Sequence, residues 1–397
     1  MLNKKIITAE SVTEGHPDKL CDRIADAVLD DCLRIDPNAR VACEVMATSG
    51  KIIVAGEITV PSYPDIFHTV CRTVAEAGYA DADYEVEVII HNQSSDIAGA
   101  IDNGNIYIND EDGRITDEFA VLGAGDQGIM YGYATNETPE MLPLPVVLAH
   151  RMTTLLSEAR KSGDISGLLP DGKAQVSIEY DNFCPRRATS IIVSAQHTKD
   201  KDMDELCREI MEYVVIPAMG KVSFSKDDVL INPSGRFVLG GFEADTGLTG
   251  RKLMVDTYGG IVPHGGGALS GKDGTKVDRS GAYMARYIAK NIVAARLAEE
   301  CTVSLAYAIG KPEPVAVSVD THETSKYDDD VITEAVKSVF DMTPAGIIRA
   351  FGLTKPIFES TAAYGHFTDP SYPWEQTNRR DELRIICSAI DHEKMHA

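Results

Sequence analysis

Apolar residues at Leu20, Ile24, Val28 and Cys32 recur at every fourth position, so Pro17 to Ile35 is predicted as an amphipathic helix. Arg40 to Ala47 and Ile52 to Val60 are β-rich runs, and Thr48-Ser49-Gly50-Lys51 between them supplies the turn of a hairpin. Asp65 to Ala77 reads as a second helix and Tyr84 to His91 as a further strand. The same order recurs with the helix Val146 to Lys161, the strands Ala174 to Tyr180 and Thr189 to Ala195, and the helix Met203 to Ala218. A third copy begins with the helix Ser280 to Glu300, passes through strands Thr302 to Ile309 and Val315 to Thr321, and reaches the helix Asp330 to Phe340. The first helices lie roughly 130 residues apart, a domain-sized period rather than a solenoid's. The expected fold class is α+β: three similar units of sandwich-like α/β structure related by pseudo-threefold symmetry, divided as 1–100, 118–234 and 235–397.

Charge and length narrow the reading. At 397 residues the chain exceeds the size of a single core, so two or three domains are expected. A net charge of -23 opposes attraction to nucleic acid or anionic lipid. Met1 to Ala9 has two lysines but no long apolar run behind them, and no later stretch reaches membrane-spanning length. A cytoplasmic chain with neither nucleic acid nor membrane as partner is expected. The eight cysteines form no C-x-x-C pair and read as reduced and mostly structural. The segment 95–125 contains Gly99, Gly104, Gly113 and Gly123, many acids, and Arg114 as its only basic residue, so a mobile lid is expected there.

Candidate chemistry gathers where the charge reverses. Arg251 to Lys290 carries seven basic residues against three acidic ones. A solvated basic helix accounts for Arg286 and Lys290, but not for the glycine-rich part before them. His264 to Asp273 combines backbone freed from side chains with Lys272, as a phosphate-cradling loop requires. Gly266 to Lys272 even fits G-x-x-x-x-G-K. A P-loop, however, has Ser or Thr after the lysine and lies between a strand and a helix. Here Asp273 follows, Tyr258-Gly259-Gly260 and Pro263 precede as loop, and the helix is expected only near Ser280, which sets the P-loop aside. Arg251, Lys252, Lys272 and Lys276 with Asp278 still place cations for a polyphosphate and a carboxylate for its magnesium in one window.

Glu14-Gly15-His16-Pro17-Asp18-Lys19 stands where the first helix starts, with Pro17 suited to its first turn, and helix starts attract anions. Taken alone, the cluster also reads as an ordinary capped helix end, with Asp18 complementing the dipole. Glu44 and Glu57 fall in the two strands of one hairpin. Facing water, coordinating a cation and receiving an ammonium group all remain open for them.

Together, the Glu14 to Lys19 cluster, Gly123-Ala124-Gly125-Asp126-Gln127-Gly128 with Tyr133 to Thr138, and Gly235-Arg236-Phe237 resemble the S-adenosylmethionine synthases, or methionine adenosyltransferases. Gly247 to Lys252, His264 to Lys272, Val277-Asp278-Arg279-Ser280 and Ala363-Tyr364-Gly365-His366-Phe367 extend that resemblance over nearly the whole chain. It implies an alkyl transferase with three similar α+β domains, in which two subunits share a pair of active sites, commonly within a homotetramer. The implied reaction joins L-methionine sulfur to C5′ of ATP and releases triphosphate, which is then cleaved to diphosphate and phosphate.

Carried over by motif, His16 lies beside the breaking bond, Asp18 and Asp278 bind two magnesium ions (Mg2+), and Glu44 binds one potassium ion (K+). Glu57, Gln93, Asp126 and Lys276 are implied on the methionine side, with Asp245 facing both substrates. Phe237 stacks on adenine beside Arg236, and Asp171, Lys173, Arg251, Lys252, Ala268 and Lys272 surround ATP. The stretch after Gln93 corresponds to the family's gate. These residue types suit the chemistry, because a neutral thioether attacks without a general base and the difficulty lies in charge building on the leaving triphosphate. His16, Lys173, Arg251, Lys252 and Lys272 with the magnesium ions would stabilise that charge.

The chain departs from the family's pattern at Phe242-Glu243-Ala244, where Pro and small residues are usual, at Gly281 in place of alanine early in a helix, at Pro263, and in the acidic segment Asn103 to Glu118. Pocket shape, rate and lid behaviour are where these differences are expected to act. The alternative reading is a nucleotide-binding regulatory paralogue that has lost catalysis; retention of His16, Asp18, Lys173, Lys272 and Asp278 speaks against it.

Overall fold

A computed structural model describes residues 4–93, 122–181 and 184–396, so most of the expected lid, including Asn103 to Glu118, lies outside the described residues. The first stretch contains β1 (Lys4–Val12), α1 (Pro17–Ile35), β2 (Arg40–Thr48), β3 (Lys51–Thr59), α2 (Ile66–Val74) and β4 (Glu85–His91). Next come β5 (Gly128–Thr135), α3 (Leu144–Ser162), the long hairpin strands β6 (Leu168–Asp181) and β7 (Cys184–His197), α4 (Met203–Ile210) and β8 (Val229–Ile231). The rest contains β9 (Gly247–Leu248), α5 (Val277–Ala294), β10 (Glu300–Tyr307), β11 (Ala316–Asp320), α6 (Asp329–Val339), α7 (Pro344–Phe351) and α8 (Arg380–His396).

The strands form three sheets, ordered β4-β3-β2-β9, β1-β6-β7-β8 and β11-β10-β5. Each sheet takes a strand from a different part of the chain. β1 lies antiparallel on β6, from Lys4 opposite Asp181 to Val12 opposite Lys173. β5 lies on β10, from Gly128 opposite Tyr307 to Thr135 opposite Glu300. The short β9 meets β2 at Ala47 and Met46. Mixed α/β structure in three sheets agrees with the expected fold class, while sheet membership crosses the divisions drawn near residues 100–118 and 235. One continuous core joins α1, α2 and α5 to α8 with the first and third sheets, and a second lies between α3, α4 and the β6-β7 hairpin.

α1 follows its predicted span, but both of its faces are buried. Leu20, Ile24, Val28 and Cys32, all 0% exposed, face the sheet that contains β2. Asp18, Asp22, Asp26 and Asp30 also repeat every four residues, offset by two, which places them about 200° around the helix. They too are at most 3% exposed. A polar helix face ordinarily looks toward water; this one is covered by the C-terminal third.

α5 also corrects the expected pattern. It starts at Val277 and stops at Ala294, with Arg296 in a left-handed conformation (φ 58°) that ends the helix before β10 begins at Glu300. Arg286 and Lys290 are not on a solvated face. Both are buried around Glu375, whose carboxylate accepts Arg286 Nε at 2.7 Å, Arg286 Nη2 at 2.8 Å and Lys290 Nζ at 2.6 Å. Arg286 also donates to the carbonyls of Tyr133, Glu140 and Met141, each at 2.8 Å. The five donors of a guanidinium make that complete satisfaction possible.

Candidate active site

β1 delivers the chain to the start of α1 through Gly15, where a Cβ would stand 2.4 Å from Pro170 Cβ and so could not fit. His16 caps the helix, its Nδ1 accepting the Asp18 N–H at 3.2 Å. Burial, then the charge of Lys252, pushes the His16 pKa down to about 3, with Lys173 and Lys19 adding to the effect against Asp18. The ring is therefore neutral at pH 7. Because Nδ1 is the acceptor, its proton is on Nε2, available to an anionic oxygen.

Asp18 points at the segment after β9. Its Oδ1 accepts the Leu248 N–H at 3.0 Å and lies 3.7 Å from Arg251, while Oδ2 lies 2.5 Å from Lys252 Nζ. Burial pushes this carboxyl up, but Lys252 and the Leu248 N–H outweigh it and hold the pKa below its usual value. The start of β6 brings in Asp171 and Lys173. Asp171 is buried and accepts the Gly241 N–H at 2.8 Å; burial raises its pKa, and the charge of Asp245 adds to that. Lys173 reaches Glu10 at 3.5 Å and stays half exposed. Asp245 and Arg251 are exposed. Phe237 is tied to this side through its backbone, its N–H donating to His197 Nε2 at 3.1 Å. Arg236 Nη2 donates to the carbonyls of Lys199 at 2.5 Å and Lys201 at 2.9 Å.

A second group forms around the glycine loop. Gly271 to Asp273 runs along β2, with the Cys43 N–H on the Gly271 carbonyl at 2.9 Å and the Asp273 N–H on that of Val41 at 3.1 Å. Lys272 Nζ reaches Asp278 Oδ2, in the first turn of α5, at 2.6 Å. The other oxygen of Asp278 lies over Gly267, where a Cβ would stand only 2.1 Å away. Glu44 and Glu57 are exposed on one face of the β2-β3 hairpin. Burial, then Glu57, raises the Glu44 pKa against the pull of Lys272. Gln93 follows β4, its N–H donating to Thr59 Oγ1 at 3.3 Å. Asp126 is exposed, and neighbouring Gly125 bonds the Thr275 carbonyl at 3.2 Å. Lys276 turns inward, 2.5 Å from buried Asp273. Ala268 stands under Gly250, where a Cβ would meet Ala268 Cβ at 2.5 Å.

The site residues of one chain thus fall into two groups: His16, Asp18, Asp171, Lys173, Asp245, Arg251 and Lys252, and then Glu44, Glu57, Lys272 and Asp278. Among the described residues no hydrogen bond or ion pair joins them. Nor does any trio of His, Cys, Asp or Glu among the described residues form a metal cage.

The sequence motifs do not single out Asp22, Asp26, Asp30 or Asp256. Each aspartate of the α1 row holds a backbone N–H of a later loop: Asp18 that of Leu248, Asp22 that of Gly250 at 2.8 Å, Asp26 that of Gly271 at 2.8 Å, and Asp30 those of Phe358 and Glu359 at 3.0 Å. The signal for the row is the fourfold spacing onward from Asp18. The departure Phe242 packs at 1% exposure against Tyr79 and Tyr84 in edge-to-face contacts, with ring centroids 5.2 and 5.9 Å away.

The chain is similar in sequence to known proteins. Three family models match in succession: S-adenosylmethionine synthetase N-terminal domain over residues 4–102, central domain over 121–237 and C-terminal domain over 239–376. The S-adenosylmethionine synthases of two Thermus thermophilus strains are each 51% identical to the chain over 390 residues, covering 96% of it and 98% of the relative.

Proposed function

The chain belongs to the S-adenosylmethionine synthetase family, and from that premise we propose that it attacks C5′ of ATP with the sulfur of L-methionine, releases triphosphate and hydrolyses it to diphosphate and phosphate. The observation that carries this reading is the start of α1, where neutral His16, with its proton on Nε2, stands among Lys173, Arg251 and Lys252. A donor that stays uncharged beside fixed cations suits an oxygen on which charge develops only as the bond breaks. His16, Lys173, Arg251 and Lys272 are the catalytic groups of this proposal, with Lys252, Asp171, Arg236, Phe237, Asp245 and Ala268 around ATP. Glu57, Gln93, Asp126, Asp245 and Lys276 serve the methionine side. Lys276 acts there through the loop it anchors on Asp273.

The donor set fits magnesium. Asp18 and Asp278 are single carboxylates beside cationic groups, and Mg2+ is typically held by one or two carboxylates together with substrate phosphates. Gly267 leaves Asp278 Oδ1 clear of any side chain at that position. Bound Mg2+ would supply charge neutralisation on the phosphates. Glu44, exposed on the hairpin face with Glu57 on the same face, fits K+ as a compensating cation. The separation of the residues into two groups supports a homo-oligomer in which a second copy completes each site, a dimer or a pair of dimers in the cytoplasm.

The test is incubation of purified protein with ATP, L-methionine, Mg2+ and K+, following the sulfonium product by mass spectrometry alongside phosphate and diphosphate. Sulfonium with both phosphates is expected; ATP binding without product would move the assignment to a regulatory paralogue.

A further inference from the structure

The segment that presents Arg251 and Lys252 is fastened at both ends to one buried ammonium group. At its start, the Gly250 N–H donates to Asp22 Oδ1 at 2.8 Å. At its end, Asp256 Oδ1 lies 2.5 Å from Lys19 Nζ, and the Asp256 N–H closes a single helical turn onto the Lys252 carbonyl at 2.9 Å. Lys19 Nζ also reaches Asp22 Oδ2 at 3.0 Å, so it fixes the separation of the two ends. The side chains of Lys19, Asp22 and Asp256 are 0%, 0% and 1% exposed.

We propose that Lys19, Asp22 and Asp256 are positioning residues that set where Arg251 and Lys252 meet the leaving triphosphate. This rests on the reading of those two cations as triphosphate contacts.

A buried ammonium and two buried acid groups, one of them Asp22 pushed up to about 7 by burial and by Asp256, are a costly way to hold a loop, since well-packed apolar groups of similar volume often serve stability as well or better. Their return is directional. An ammonium shared between two carboxylates fixes lengths and angles that apolar contacts leave loose. The cluster is also the centre of a longer buried chain of contacts. His366 bonds the Asp256 carbonyl through its N–H at 3.0 Å and places Nε2 3.9 Å from Asp256 Oδ1 without a hydrogen-bond partner. Its Nδ1 meets Tyr283 Oη at 2.7 Å, and Tyr283 accepts from Arg279 Nε at 3.1 Å. Arg279 bonds the carbonyl of Lys272 at 3.2 Å. One buried network therefore seats Lys252 in one group and Lys272 in the other.

Asp256→Asn removes the charge that anchors the far end while keeping its shape. In the full-length enzyme kcat is expected to fall about 10- to 100-fold, as a displacement of about 1 Å can cause, with KM for methionine within about twofold. In a Lys252→Met background the same substitution is expected to cost less than it does in the parent, acting through Arg251 alone, because one of the two groups it positions is gone. Asp22→Asn, which keeps an oxygen for the Gly250 N–H, provides the second variant should Asp256→Asn fold poorly. It is expected to show the same split between kcat and KM. Unchanged kcat in both folded single variants would overturn the positioning role, as would an undiminished effect in the Lys252→Met background. A fully active Lys252→Met variant would instead overturn the triphosphate reading, and the proposal with it.

Discussion

Asp26→Ala is expected to unseat the end of the glycine loop and to cost a large part of the stability of the core it shares with α5. The Asp26 carboxylate takes Arg279 Nη1 at 2.6 Å and Nη2 at 2.9 Å, and Oδ1 also accepts the Gly271 N–H at 2.8 Å. Asp26 and Arg279 are both 0% exposed. Without the carboxylate, Arg279 keeps only neutral partners: Thr361 Oγ1 at 3.0 Å, Tyr283 Oη at 3.1 Å and the Lys272 carbonyl at 3.2 Å. Breaking a buried pair costs about 3–5 kcal/mol and orphaning a buried N–H about 1–3 kcal/mol more. The sum, roughly 4–8 kcal/mol, rivals the whole stability of a typical domain. Replacing both partners, Asp26→Leu with Arg279→Met, removes the unpaired charge and should leave mainly the orphaned N–H, a loss of about 1–3 kcal/mol. Trp374 gives the assay a local probe, because it is the single tryptophan, is fully buried and stacks on Tyr283 at 3.8 Å between centroids. Its fluorescence during urea unfolding should show a midpoint far lower in the single variant and largely recovered in the double. A single variant within about 1 kcal/mol of the parent, or a double variant no better than the single, would refute the reasoning.

Three further outcomes follow. Gly267→Ala would drive a Cβ to within 2.1 Å of Asp278 Oδ1 and push that carboxylate off Lys272; steady-state kinetics should show kcat reduced about tenfold or more, with an almost unchanged melting temperature. Burial, then Lys19, holds His150 down to about 3 from 6.5, so its unfolded form binds a proton that its folded form refuses. The stability it contributes is present above pH 6.5 and drains as pH falls toward 3; the urea midpoint of the parent should therefore fall more between pH 7 and 5 than that of His150→Gln. Phe242→Ala empties a buried aromatic site between Tyr79 and Tyr84 and should cost about 3–5 kcal/mol, read as a lowered unfolding midpoint.

Local elements with a strong period are legible in the amino-acid sequence. α1 begins at Pro17 and ends at Ile35 as its apolar spacing predicts, and the β2-β3 hairpin turns at Ser49-Gly50. β1 and β5 escape the pattern, because each is defined by a partner strand roughly 170 residues away. Arg286 and Lys290 look solvated in the helix pattern for a related reason: what removes them from water is Glu375, far along the chain. The aspartate row of α1 is visible as a spacing but not as a buried face, since its partners are backbone N–H groups at Leu248, Gly250, Gly271 and Phe358, more than 200 residues away in sequence. The motifs name the residues of the site; they do not reveal that one chain sorts them into two separate groups.

The exchange of strands among the sheets also has a consequence in time. During synthesis β1 emerges well before its partner, because it must wait until β6 leaves the ribosome, and Lys4 pairs with Asp181 at the last residue of that strand. At about 5–20 residues per second, the wait is roughly 9–35 s. β5 then waits a similar interval for β10, because Gly128 pairs with Tyr307. The first third of the described chain therefore spends its early life with a bare strand, one containing Ile6 and Ile7, and pairing cannot finish until Tyr307 has been added. A protein truncated anywhere between residues 135 and 300 would be left with β5 as an unpaired, adhesive edge.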